Sequence, residues 1–241
     1  MLHYILRYTS PKFRFWVKYC VLHIAILIRP GSGWLLFKLS QSLYAMRNLI
    51  KSGNDWARYM DRAIESDPDF FFKYRRMVFN TFLLDSNLSE MEKYMQKFED
   101  FQAEYIKARG LDKFNFRFCS AFLFGNYNAS AYLDTYIKAM ELGFKPKSKL
   151  IVLLPENEEV RNPYMLEMWQ KYIVLIRNEE TIKLFSEIRK YLEYDIDYSC
   201  SLNGIAMYIE HAKVIVQKEW EERGLKPLLE VSSADKEFGW E

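Results

Sequence analysis

Three short stretches carry residue types that could bind or react. Gly125-Asn126 lies between the apolar run 116–124 and a helical pattern. A glycine there lets a ligand approach the backbone, and the first amides of the following helix could face an anion. The same pair is also ordinary strand-to-helix turn chemistry. Asn162-Pro163 opens a helix, asparagine as cap and proline at the first helical position. It falls in the connection beyond a second apolar run, where a ligand crevice would lie, although capping alone accounts for both residues. Glu156, Glu158 and Glu159 crowd that same connection. One of them could serve as a general base, while three acids ahead of a helix also suit its dipole and a solvated loop.

The elements that must position these residues alternate in type. Residues 116–124 are apolar and aromatic, and 132–142 carry apolar residues at helical spacing up to Gly143. Lys149-Leu150-Ile151-Val152-Leu153-Leu154 is a short buried-strand run halted by Pro155, and 172–176 is a third candidate strand. Strands separated by helices imply parallel pairing, with a crevice at the strand C-terminal ends. Residues 178–193 supply a further amphipathic helix, and 194–200 read as a polar, aromatic connection. Residues 202–224 read as one long helix closed by Gly224 and Pro227, and 228–231 as extended. No G-x-G-x-x-G follows any of these strands, so the pattern supports no nucleotide cofactor. Trp169 and Trp220 sit among apolar neighbours at helical spacing and read as core.

Residues 1–112 read as helical throughout. Pro30-Gly31-Ser32-Gly33 separates two helices, 55–66 form a short one, and Asp67-Pro68 starts another running to about Leu84. Ser86 or Ser89 would cap a further helix up to Arg109 and Gly110. Ala63 and Pro68 are spaced as in a tetratricopeptide half-repeat, but no second copy follows at the repeat period, so a degenerate layer of helical hairpins is expected.

Net charge is only +2, which points neither to a nucleic-acid binder nor to an acidic tail. Its distribution is more telling. Eight basic residues precede the first acidic one, Asp55, leaving 26 of the 34 Lys and Arg against 32 Asp and Glu in the remainder. Within this basic arm, residues 19–28 are strongly apolar, but a helix of that length covers about half a hydrocarbon core, and extending it encloses Arg14 and Lys18. Arg14, Lys18, Ala25 and Arg29 share one helical stripe, with Trp16, Cys20, Ile24 and Leu27 opposite. That suits either a helix at an anionic membrane surface or a core helix packed on the next one. Arg29-Pro30-Gly31-Ser32-Gly33 offers no secretory cleavage pattern.

Cys20, Cys119 and Cys200 have no metal spacing and suggest a reducing compartment. His3, His23 and His211 are too scattered for zinc, so no metal is expected. His211, beside Glu210 in a helix, has no nucleophile near it in sequence. At the other end, Ser232-Ser233-Ala234-Asp235 is a helix-opening sequence followed by a single turn, which leads to the expectation of a fragment or truncated product.

Three motifs in order carry a family resemblance. Phe124-Gly125-Asn126, Leu133-Asp134-Thr135-Tyr136-Ile137-Lys138 and Leu142-Gly143-Phe144-Lys145-Pro146 form the first; the run 149–155 with Asn162, Met165, Leu166 and Trp169 forms the second; Trp220, Gly224, Pro227, Leu228 and Leu229, with Asp235 and Gly239, form the third. Over residues 113–241 the chain resembles a family of bacterial glycosyltransferases in which tetratricopeptide-like helices precede a two-domain catalytic unit. The resemblance implies a GT-B-like pair of Rossmann-type domains and a nucleotide-sugar donor used in surface polysaccharide synthesis. It places the acceptor over Gly125, Asn126 and Asn162, with no catalytic residue assigned and no cofactor. The family's turn usually reads Gly-His, whereas Asn126 can hydrogen-bond but cannot act as a base near neutral pH. The family also continues past Glu241 into a donor-binding domain, so this chain alone is expected to be inactive.

The expected architecture is therefore α/β and α-rich. Residues 1–54 form a basic arm, 55–112 helical hairpins, and 113–241 an incomplete Rossmann-like parallel-sheet domain, as in the N-terminal half of a GT-B enzyme. The expected activity is that of the acceptor-side half of a glycosyltransferase, cytoplasmic and peripheral at the inner face of the plasma membrane through Arg14, Lys18 and Arg29. The alternative is a non-enzymatic interaction module that takes a protein partner on its helical layer.

Overall fold

A computed structural model describes residues 10–50, 55–120, 124, 127–160, 162–196 and 198–229. Within them the chain is α-rich, with one small parallel sheet and one β-hairpin. Two compact units emerge, Met1–Met77 and Val78–Glu241.

In the first unit, α1 (Pro11–Ile28) is capped by Ser10, whose hydroxyl accepts from the Phe13 amide at 3.3 Å. It packs on α2 (Gly33–Ile50), which packs in turn on α3 (Asp55–Ser66). Phe15 and Ile26 of α1 are buried, as are Leu36, Phe37, Leu43 and Tyr44 of α2. The contact between α2 and α3 includes a hydrogen bond from the buried Ser40 hydroxyl to the Trp56 carbonyl at 2.6 Å. His23 Nδ1 donates to the Tyr19 carbonyl at 3.2 Å, leaving Nε2 to accept from the Tyr59 hydroxyl at 3.3 Å, which ties α1 to α3. Gly33 is where the chain comes closest to itself: an added Cβ would lie 2.9 Å from the Ala63 carbonyl oxygen and from the Cβ atoms of Asp67 and Phe70. Asp67 caps α4 (Pro68–Leu83) by accepting from the Phe70 amide at 3.1 Å.

The division falls within α4, whose last residues open the second unit, and α5 (Leu88–Ala108) follows. Its cap is Asn87 rather than Ser86 or Ser89: the Asn87 side chain accepts from the Glu90 amide at 3.3 Å, and Ser86 is held at positive φ in the preceding turn. The alternating region then follows as β1 (Phe116–Cys119), α6 (Tyr127–Glu141), β2 (Lys149–Leu153), α7 (Pro163–Trp169), β3 (Ile173–Ile176) and α8 (Glu179–Leu192). The strands pair in parallel in the order β1-β2-β3, with Phe118 opposite Ile151 and Ile151 opposite Val174. Side chains alternate across the sheet. Leu150, Val152 and Leu154 join a core with Leu133 and Tyr136 of α6 and Trp169 of α7. Phe118, Ile151 and Leu153 join a second with Ile106 of α5 and Phe185 and Leu192 of α8. Both faces are thus covered, as a parallel sheet requires.

Beyond α8 the chain returns to the free side of β1. Glu193 bridges Phe118 in parallel, and the Tyr194 amide donates to the Phe118 carbonyl at 2.9 Å. Gln102 of α5 fixes this return by donating to the carbonyls of Tyr191 at 2.7 Å and Glu193 at 3.3 Å. The sequential strands therefore run one way from β1, and the next segment lies on its other side.

The single long helix expected over 202–224 is replaced by an antiparallel hairpin, β4 (Ser199–Leu202) and β5 (Ile205–Tyr208), followed by α9 (Ile209–Glu222). Asn203 and Gly204 take φ of 53° and 82°, the positive values of a tight two-residue hairpin turn. The exposed edge of β5 is satisfied by α5: Gln96 Oε1 accepts the Ala206 amide at 2.8 Å and Glu92 Oε1 the Tyr208 amide at 2.9 Å. These acceptors sit four residues apart on one helix face, matching alternate amides of the strand. Trp169 and Trp220 are core residues, as expected.

Candidate functional site

Parallel strands deliver their connecting loops to the carboxyl end of the sheet, and there the structure forms an open cleft of about 380 Å³. Glu156, Glu158 and Glu159 line it from the β2–α7 connection, Pro163 and Leu166 from α7, and Arg177 from the residue after β3. Strand pairing brings them together: the Leu154 amide donates to the Ile176 carbonyl at 2.9 Å, extending the ladder to the point where both chains leave the sheet. A turn closed by the Glu158 amide on the Pro155 carbonyl, at 3.0 Å, folds the acidic loop back on itself. Three exposed carboxylates face one exposed guanidinium. Such a set can accept several hydroxyl protons and donate in a fork, and it carries a surplus of negative charge.

Asn162 sits in the wall segment between the acidic loop and α7. Its side-chain oxygen accepts from the Met165 amide at 3.1 Å, so it caps the helix, and the residue is exposed. Gly125 and Asn126 lie outside the described residues. The helix that follows them is pinned from its first turns, because Trp169 Nε1 donates to the buried Ser130 hydroxyl at 2.6 Å and locks α6 to α7. Arg14 and Lys18 lie exposed on α1 and Arg29 is exposed at its C-cap, all in the first unit. Although much of the residue faces solvent, partial burial of the Lys18 side chain, and then the positive charge of Lys38, lower its pKa.

A second polar group is built into the core of the α/β unit. Lys145, in the connection between α6 and β2, donates to the Ser201 carbonyl at 3.1 Å and to its hydroxyl at 2.7 Å. Its ammonium stands 4.9 Å from the Tyr136 ring centroid and 5.5 Å from that of Tyr194. Burial raises the pKa of the Glu99 carboxyl, while Lys145 and a hydrogen bond from the Ser201 hydroxyl pull it back down. Among the described residues the buried Tyr136 hydroxyl makes no well-formed hydrogen bond, and burial followed by the neighbouring Tyr194 raises its pKa well above the usual phenol value.

Two thiols can be set aside as nucleophiles. Burial pushes Cys119 up to about 12, with Glu193 adding to it, and burial pushes Cys200 up to about 11. Neither forms appreciable thiolate near neutral pH. His211 Nδ1 lies 2.7 Å from Glu92 Oε1, the same oxygen that caps the Tyr208 amide, so the histidine braces the hairpin against α5. Among the described residues, no three His, Cys, Asp or Glu side chains group closely enough to hold a metal ion, and no helix is long and apolar enough to cross a membrane.

Arg177 is the site residue that sequence reasoning passed over. It could have been found by asking which residue directly follows each parallel strand, since those residues define the carboxyl edge. Comparison with protein-family models, curated proteins and solved structures finds no match to this chain.

Proposed function

We propose that the α/β unit is the acceptor-side half of a glycosyltransferase that draws on a nucleotide-sugar donor for surface polysaccharide synthesis. The observation that carries this reading is the acid-lined cleft at the carboxyl ends of β2 and β3. Its charge favours a neutral polyhydroxylated acceptor, whose hydroxyls the carboxylates accept, and disfavours a pyrophosphate, which the same carboxylates repel. The parallel order β1-β2-β3, with the chain returning to the free side of β1 at Glu193, supports a Rossmann-type half-domain. Gly125 and Asn126, which follow β1, and Asn162, which follows β2, would border the acceptor on this reading.

The test is glycan binding by the purified chain, followed by calorimetry with oligosaccharides and with nucleotide sugars. Oligosaccharides should bind, and Arg177→Ala and Glu158→Gln should each weaken that binding about tenfold, the loss of one or two hydrogen bonds. Neither residue is buried, so circular dichroism should be unchanged. Absence of glycan binding, or binding indifferent to both substitutions, would overturn the proposal in favour of an interaction module.

A further inference from the structure

The outward side of α1 is apolar along its whole length. Leu27 and Ile28 are 83% and 74% exposed, and Phe13, Trp16, Val21 and Ile24 are each more than half exposed. At about 100° per residue, these six fall within a sector roughly 140° wide. Phe15, Leu22 and Ile26 point the other way, into the contact with α2. Between the two faces run Arg14, Lys18 and Arg29, all exposed, and Lys12 lies on the opposite flank. No acidic residue occurs before Asp55, so neither α1 nor α2 supplies a counter-charge, and Lys18 feels Lys38 as a second cation.

We infer that α1 docks this protein on an anionic lipid surface, its apolar face entering the boundary between headgroups and acyl chains and its basic flank meeting lipid phosphates. Charge complementarity selects this occupant. A second copy seated face to face would add its own Arg14, Lys18 and Arg29 to the contact without an acidic residue on either α1 to neutralise them. A lipid phosphate layer neutralises them instead, at headgroup depth, where the geometry of an in-plane amphipathic helix puts its cations. With Lys12, Arg14 and Lys18 among its 18 residues, the helix is not apolar enough to cross the bilayer. The inference rests on the first unit alone and stands whether or not the second unit binds glycans.

Cys20 lies on the apolar face and is exposed, whereas Cys119 and Cys200 are buried, so an environment-sensitive maleimide dye reports on this surface. Phosphatidylcholine vesicles containing phosphatidylglycerol should sediment the protein and shift the dye emission to the blue; pure phosphatidylcholine should do neither. Arg14→Glu, Lys18→Glu and Arg29→Glu together should weaken vesicle binding at least about tenfold, given about 1 kcal/mol per cation at the surface. Ile24→Ser with Leu27→Ser should abolish the blue shift. Sedimentation of the unlabelled protein guards against an effect of the dye, and unchanged circular dichroism against misfolding. Equal binding to both vesicle types, indifference to charge reversal, or a lipid-free blue shift with a dimer mass by light scattering would each overturn the inference.

Discussion

Lys145 Nζ donates to the Ser201 hydroxyl at 2.7 Å across 56 positions of sequence, and that hydroxyl in turn hydrogen-bonds the Glu99 carboxyl. The three residues join the α6–β2 connection, β4 and α5. Burial raises the Glu99 pKa above the ordinary carboxyl value of 4.5. The folded protein therefore holds that proton to higher pH than the unfolded chain. The resulting stability is complete below the ordinary carboxyl range and is lost as pH rises through the raised folded-state value. Lys145→Met removes a nearby cation and both hydrogen bonds to Ser201, so it should cost about 1–3 kcal/mol near neutral pH, and less in acid, where Glu99 is protonated. Urea melts at the two conditions check this, and an equal loss at both would contradict it.

Tyr136→Phe should leave stability unchanged or raise it by about 1 kcal/mol. The ring stays in its buried position 5.0 Å from Tyr194, while a hydroxyl that makes no well-formed hydrogen bond among the described residues no longer has to be kept from water. A thermal melt more than a few degrees below the wild type would show that this hydroxyl has a partner in solution.

The three cysteines should react in two classes. Cys20 should be modified by an aromatic disulfide reagent within the mixing time or shortly after, and Cys119 and Cys200 only after denaturation, because burial suppresses their thiolates. The thiol count before and after guanidinium gives the answer directly.

Gly33→Ala should destabilise the first unit by about 1–3 kcal/mol. A methyl group there meets the Ala63 backbone at 2.9 Å, and backbone cannot swing aside as a side-chain tip can. Chemical denaturation followed by far-ultraviolet circular dichroism measures the loss; a neutral outcome would mean that α2 can shift away from α3 at little cost.

The alternating region was legible because each strand ends in punctuation: Pro155 closes β2, Asn162-Pro163 opens α7 and Asn178 caps α8. The hairpin was not, although Asn203-Gly204 is a strong local turn signal. Ser199 to Ser201 are small, so no strand pattern stood out, and the apolar periodicity of α9 could be extended backwards over β5. The two strands take their hold from outside themselves, through Gln96 and Glu92 of α5, more than a hundred residues earlier. The candidate site shows the same division. Its acidic loop is contiguous and was visible, whereas Arg177 reaches it only through the parallel pairing of β2 with β3, a relation that no local window contains.

Asn203-Gly204 also sets a chemical clock. An exposed asparagine followed by glycine is the pair whose backbone amide most readily attacks the side-chain carbonyl, since the glycine offers no steric shield. That attack expels the side-chain nitrogen as ammonia and closes a succinimide, which water opens to aspartate or to isoaspartate; in isoaspartate the main chain runs through the former side chain and is one atom longer. In this fold that atom would enter the turn that pairs Leu202 with Ile205. Every amide of β5 downstream would then be offset from the glutamine and glutamate of α5 that receive it. Ageing at a single surface peptide bond would thus be felt as a slip between a strand and a distant helix.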